Sequence, residues 1–296
     1  MQKNHIIFLF LFSLSVLTSQ TKIIVDADTG NEVDDLFALT RILLEPSVEI
    51  TALNAAQWQA SHWAVEETME NSYRLNQQLL GELGISVATF RGGSARMYDW
   101  GDRAQHSAAS YEIIRQAKQL KNNQKLPILV LGALTNIASA LFIEPTISSN
   151  IEIYWLGSTI DFNTGVLKRN DFNCAMDQYA LDYLLESDVE MNILPVSVAQ
   201  LMKVDRQLME NEISNNPIGK FLMDRWYNHI DGGRKNRVLW DLALISAFIH
   251  PKMAKTKTVR TSKDSGNREI TFYSEINATE IYQDYYDTLK ILNKKK

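Results

Sequence analysis

Apolar positions along the chain come in two spacings, short dense runs and longer stretches with one face apolar. Residues 22–26 (KIIVD) form a short, β-branched run, and residues 34–44 (DDLFALTRILL) follow with Leu36, Phe37, Leu39 and Leu43 at helical intervals. A strand, an acidic loop and a helix are predicted. Residues 48–53 read as a second strand, 64–83 as an amphipathic helix with Val65, Met69, Tyr73 and Leu80 on related faces, and 85–89 as a third strand. Residues 108–120 have helical spacing, whereas 126–131 (LPILVL) are apolar throughout, the pattern of a strand buried on both faces in a parallel sheet. A helix over 135–142 with Thr135 as its cap, a strand over 151–156, a helix over 178–185 and a strand over 191–196 continue the alternation. This βαβα order predicts an α/β fold: a mostly parallel, Rossmann-like open sheet with helices on both faces. Ligands of such sheets bind beyond the carboxyl ends of the strands, where the polar clusters of this chain fall.

Composition narrows the picture. With 45% hydrophobic and 22% charged residues, and no linker, repeat or low-complexity block, residues 21–296 are expected to form a single domain. Residues 1–20 carry Lys3 and then an apolar run over 6–17, the pattern of a secretory signal peptide, so a secreted or periplasmic protein is expected. An uncleaved anchor is the alternative, but the run is short against the roughly 20 residues that span a bilayer. No other segment suits a membrane. Cys174 is the sole cysteine, which excludes an intramolecular disulfide and a Cys-rich zinc site. A net charge of −5, or −6 once Lys3 is removed, argues against nucleic acid as a partner.

The segment IIVDADTGNEVDD places Asp26 and Asp28 at a strand end and Asp34 and Asp35 at a helix start. Carboxylates brought together repel and raise one another's pKa unless a cation sits among them, and an all-oxygen ligand set favours calcium or magnesium. The bland reading makes Asp34 a helix cap and Asp26 and Asp28 solvated turn residues; it leaves the strand-end pair unexplained. Further along stand Gly132-Ala133-Leu134-Thr135-Asn136, then Asp171-Phe172-Asn173 with Asp177 as the cap of the next helix, then Trp240-Asp241 before the apolar run LALISAFI.

In this order the motifs resemble those of the calcium-dependent nucleoside hydrolase family: Asp-x-Asp-Pro-Gly-x-Asp-Asp, Gly-Pro-Leu-Thr-Asn, Glu-Phe-Asn and His-Asp. Two extra residues precede Asp34-Asp35, and every acid of the first motif is kept. The resemblance implies hydrolysis of the N-glycosidic bond of a ribonucleoside or related ribosylated compound. It implies Ca2+ held by Asp28, Asp35, the Thr135 carbonyl and Asp241, with Asp28 also the general base on water. Asp34, Asp171 and Asn173 would bind ribose hydroxyls, stabilising an oxocarbenium-like transition state. It also implies a homodimer or homotetramer.

The leaving-group side departs from the family. Trp240 stands where the family places a proton-donating histidine, and it either stacks on the aglycone or fills the core. His106 is the first candidate for a replacement acid, with His62 and His229 behind it and His250 read as structural. Aromatics around Trp58, Trp63, Tyr98, Trp100, Trp226 and Tyr227 are candidates for a base pocket, while Arg234 and Arg237 either reach a polar leaving group or a phosphate or form a solvated basic face. Two rival functions follow: a secreted ribonucleoside-binding protein without catalysis, suggested by Trp240, and a haloacid-dehalogenase-like magnesium phosphatase, suggested by Asp26-Ala27-Asp28-Thr29. The phosphatase would leave Asp34 and Asp35 unexplained and lacks a well-placed lysine.

Overall fold

The computed structural model describes residues 20–121 and 123–292, so the expected signal segment lies, except for Gln20, outside the described residues. The chain opens with β1 (Thr21–Ala27), whose last five residues are buried, and passes through the acidic loop into α1 (Asp34–Leu43). The alternation continues with β2 (Val48–Ala55), α2 (Thr68–Leu83), β3 (Thr89–Arg91), α3 (Ala108–Gln119), β4 (Leu126–Val130), α4 (Thr135–Ile143) and β5 (Ile151–Leu156). A hairpin of β6 (Thr159–Ile160) and β7 (Leu167–Lys168) leads to α5 (Phe172–Met176), α6 (Gln178–Glu186) and β8 (Glu190–Leu194). After α7 (Val196–Ala199), β9 (Lys203–Asp205) pairs with β10 (Asn236–Val238) around α8 (Arg206–Ile213) and α9 (Pro217–Asn228). The last elements are α10 (Trp240–Ile249), β11 (Ala254–Arg260), β12 (Glu269–Ile276) and α11 (Ala278–Leu292).

Eight strands join in one sheet of order β3-β2-β1-β4-β5-β8-β12-β11, parallel throughout except for the antiparallel edge strand β11. Side chains alternate across it. Ile23 and Val25 of β1 and Leu129 of β4 join the core beneath α1, α9, α10 and α11, whereas Ile24, Ile128 and Val130 join the core beneath α3, α4 and α6. Both faces are thus covered, which is why β4 reads as an unbroken apolar run. The chain leaves β1 toward β2 on one side and returns to β4 on the other, so the strand order reverses between β1 and β4 and opens a crevice beyond their carboxyl ends.

The structure shifts several predicted boundaries. The helix expected from 64 starts at Thr68, because residues 58–64 close turns of their own and the Thr68 hydroxyl accepts from Trp58 N at 3.1 Å. β3 begins at Thr89, where pairing with Leu53 starts, and β8 stops at Leu194 because Pro195 has no N–H to give. The pair β11 and β12 had no counterpart in the sequence reading. β11 is a mostly exposed edge strand of sequence AKTKTVR and carries no apolar run.

Candidate active site

At the β1–β4 crevice, backbone geometry decides which acids meet. Asp26 is fully buried and turned into a structural knot: Asn136 Nδ2 donates to its Oδ2 at 2.9 Å and to Ala55 O at 3.2 Å, and Asn136 Oδ1 accepts from Gly93 N at 2.8 Å. Asp28 reaches the cavity instead. It packs on Gly132 just after β4, where a Cβ would stand 2.6 Å from Asp28 Cγ, so only glycine admits the carboxylate.

Asp34 and Asp35 occupy the first turn of α1, but Val33 is the N-cap and no side chain caps the helix, so neither acid is spent on capping. Asp241 lies in the first turn of α10, and its backbone N–H donates to Asp34 Oδ2 at 3.2 Å, tying the two helix starts together. Two helix N-termini thus point their positive ends at the same carboxylates. Oxygens of Asp34, Asp35 and Asp241 all lie within 4.8 Å of one another. Asp171 caps α5, accepting from Cys174 N at 3.2 Å, and also accepts from Ser158 N at 2.8 Å. Asn173 Nδ2 donates to Leu131 O at 2.6 Å and Leu156 O at 2.9 Å, bridging the ends of β4 and β5.

These side chains line one cavity of about 280 Å³, together with Asn31, Glu32, Leu131, Leu156, Phe172, Val196 and Trp240. Phe172 stacks on Trp63 with ring centroids 5.4 Å apart, and Trp63 Nε1 donates to Asn31 Oδ1 at 3.1 Å. Carboxyls and aromatic rings therefore share one wall system.

Burial, reinforced by the neighbouring carboxylates, holds Asp28, Asp35 and Asp241 well above the usual carboxylate range. Asp34 is raised by burial against the pull of its bond from Asp241 N. Burial and then the Asp34 charge push Glu32 up to about 7, with Arg237 pulling the other way, and burial pushes Asp26 up to about 6 against the hydrogen bond from Asn136. Asp28 Oδ2, Asp35 Oδ1 and Asp241 Oδ1 are buried without a hydrogen-bond partner among the described residues. Buried anionic oxygens left unpaired are costly, and a hard cation among them supplies the missing partner. The residues present fit such an ion.

Of the residues predicted from sequence, the crevice brings together Asp28, Asp34, Asp35, Asp171, Asn173, Trp240 and Asp241. Thr135 does not line the cavity. Nor does it cap α4, whose N-cap is Leu134: its hydroxyl donates to Asp177 Oδ2 at 2.7 Å and accepts from Gln57 Nε2 at 3.1 Å. Asp177 caps α6 as expected, accepting from Ala180 N at 2.9 Å. His106 stands apart from the cluster. Its imidazole is exposed and held by Tyr111 Oη and Asp102 Oδ2, each at 2.8 Å, and it does not line the cavity. Arg237 matches neither expectation, being buried, paired with Asp231 and set over the Trp226 ring. Sequence reasoning missed Asn31, Glu32 and Phe172, and also Leu131, Leu156 and Val196. Leu156 ends β5, Leu131 follows β4 directly, and Val196 follows β8 after Pro195, all at the place the strand-end rule points to.

Comparison with known proteins identifies the family and the fold. Residues 23–283 match the model of the family described as inosine-uridine preferring nucleoside hydrolase. A relative from Oryza sativa subsp. japonica, described as a probable uridine nucleosidase 1, is 24% identical over 257 residues, covering 78% of this chain and 77% of its own. Among solved structures, a purine-preferring ribonucleoside hydrolase from Gardnerella vaginalis superposes with a TM-score of 0.70 at 18% identity, covering 93% of this chain and 100% of that one. An inosine-uridine preferring nucleoside hydrolase from Bacillus anthracis gives 0.65 at 18% identity over 92% and 99% of the two chains. At such identities the superpositions speak for the fold.

Proposed function

Since the chain belongs to the inosine-uridine preferring nucleoside hydrolase family, and is thus an N-glycosyl hydrolase, we propose that it splits a ribonucleoside into free base and ribose using calcium and Asp28. The observation that carries this reading is the convergence of Asp28, Asp34, Asp35 and Asp241 on one cavity, with buried oxygens left unpaired. Asp28, Asp35 and Asp241 would hold the ion; the Thr135 carbonyl enters the set from the Gly132–Asn136 motif, not from the cavity lining. Several protein carboxylates in one ligand set suit calcium better than magnesium, which retains more of its waters. Bound there, the cation supplies positive charge that makes a neighbouring water more acidic and orients a sugar diol.

The protein's own residues do the rest. Asp28, with one oxygen free, takes one proton from the attacking water, whose oxygen bonds C1′ as the C1′–N bond breaks; the departing base keeps the bond's electron pair and takes a proton from solvent. Asp34, Asp171 and Asn173 bind ribose hydroxyls and bring negative charge to a sugar that turns positive in the transition state. Trp240 and Phe172 offer flat apolar surface to the aglycone. Export directed by residues 1–20 belongs to the same proposal.

The test is incubation of the protein with a panel of ribonucleosides, with and without a calcium chelator, following reducing sugar. Chelator-sensitive release that Asp28→Ala abolishes is expected; no release from any substrate, with wild type and Asp28→Ala indistinguishable, would overturn the reading. Trp240 in the cavity, with His106 outside it, favours one second reading, a binding protein that retains the ribose site. Calorimetry showing ribonucleoside binding without release of base would select it.

A further inference from the structure

The loop between β1 and α1 is longer by two residues than the motif it resembles, and it carries Asn31 and Glu32 to the cavity. A separate group of polar side chains, half-buried His229 and Asp231 and buried Arg237, grips this loop from β10 and the segment before it. His229 Nε2 donates to Asn31 O at 2.9 Å, while its Nδ1 meets Asp231 Oδ1 at 2.5 Å. Arg237, with a side chain only 2% exposed, bonds both oxygens of Asp231 and directs Nη1 toward Glu32 Oε2 at 3.9 Å. From the other side, Trp63 Nε1 donates to Asn31 Oδ1.

At 3.9 Å, Arg237 orients the Glu32 carboxylate by charge without forming a hydrogen bond to it, so the acceptor capacity of that group is still available. Neither nucleophilic attack nor the ion-holding cluster accounts for a carboxylate at this place. We infer that Glu32 is a substrate-contacting, specificity-determining residue that accepts a hydrogen bond from a donor on the ribonucleoside, and that His229, Asp231 and Arg237 are positioning residues that hold it there. This inference rests on the ribonucleoside hydrolase reading above. The donor is either the 5′-hydroxyl or a ring N–H of the aglycone, and a carboxylate acceptor discriminates against any analogue lacking it because the half-buried oxygen, covered by the bound ligand, would then go unpaired.

Three probes separate the sources: uridine or inosine, which carry both donors; their 5′-deoxy analogues, which retain only the aglycone N–H; and 4-nitrophenyl β-ribofuranoside, which retains only the 5′-hydroxyl. The full chain with calcium is compared with Glu32→Ala, Glu32→Gln, His229→Ala, Arg237→Ala and Arg237→Lys, measuring kcat and KM separately and the melting temperature of each. Loss of a hydrogen bond to a charged acceptor corresponds to about 10- to 100-fold in kcat/KM. Glu32→Ala is expected to cost that much on the natural nucleoside and to cost little on whichever probe lacks the contacted donor. His229→Ala and Arg237→Ala should repeat the same selective pattern, with partial rescue by Arg237→Lys. A loss spread equally over all three probes, or no loss in Glu32→Ala and Glu32→Gln while wild type turns over, overturns the inference and leaves the hydrolase reading intact. Wild type that cleaves none of the probes removes both.

Discussion

At the scale of single residues, Asp28 and Gly132 act as a pair. Asp28→Asn keeps the shape of the side chain and removes the base, so kcat is expected to fall by about 10²- to 10⁴-fold. His106→Ala, altering an exposed side chain away from the cavity, should stay near wild type in the same initial-rate assay. Equal losses in the two variants would refute the assignment of the base. Gly132→Ala drives a methyl group into the Asp28 carboxylate. Overpacking of this kind costs about 1–3 kcal/mol, and here it should lower both the melting temperature and base release. Unchanged activity in that variant would show that Asp28 tolerates displacement. Asp28, Asp34 and Asp35 were legible in the sequence because that residue type is crowded there in one short segment, whereas Asp241 was reached only through the resemblance of Trp240-Asp241 to a family motif. Glu32 was not, since a single acid in a loop looks like any solvated side chain until Arg237, far along the chain, is found facing it.

Among the elements, α1 bears most responsibility for the site, because Asp34 and Asp35 sit on its first turn and its far side is core. Phe37 is fully buried, edge-on to Trp226 at 6.1 Å and 6.0 Å from Tyr285, so it locks α1 to α9 and α11. Phe37→Ala is expected to cost about 3–5 kcal/mol of stability, read as a shift in the urea midpoint, and to reduce activity below its own unfolding transition. A cost under 1 kcal/mol would mean that the helix is held mainly elsewhere. Elements buried on both faces, such as β4 and α10, declared themselves through continuous apolar runs. β11 and β12 did not, since β11 is an exposed edge strand and β12 beside it is buried only in part, so both keep polar residues and resemble loop. Boundaries drifted where a side chain or a proline decided them, as at Thr68 and Pro195.

For the molecule as a whole, the strand order and the site are one fact. The crevice exists because the chain reverses direction across the sheet between β1 and β4; the alternating pattern of the first two hundred residues pointed to the carboxyl ends of the strands, but not to this pair, which follows from the strand order. What pattern alone left out is how helix starts separated widely along the chain come to share one cluster. Removing the ion should therefore be felt globally. Buried carboxylates without a counter-charge destabilise the native state, and a ligand bound only by that state adds about 2.7 kcal/mol at a hundred times its Kd. Chelation is expected to lower the melting temperature, calcium to restore it, and magnesium to restore it less. A melting temperature indifferent to calcium would overturn the choice of ion.

The hydrogen bond from Asp241 to Asp34 joins residues 207 positions apart. At the ribosome's pace of roughly 5–20 residues per second, that span takes on the order of tens of seconds to translate. Until it emerges, the acidic loop is a solvated stretch of nascent polypeptide whose charges have nothing to oppose. Only after Asp241 has been made can the carboxylates be pressed together, so a metal ion is expected to be captured after α10 has docked on α1 and not by the acidic loop alone.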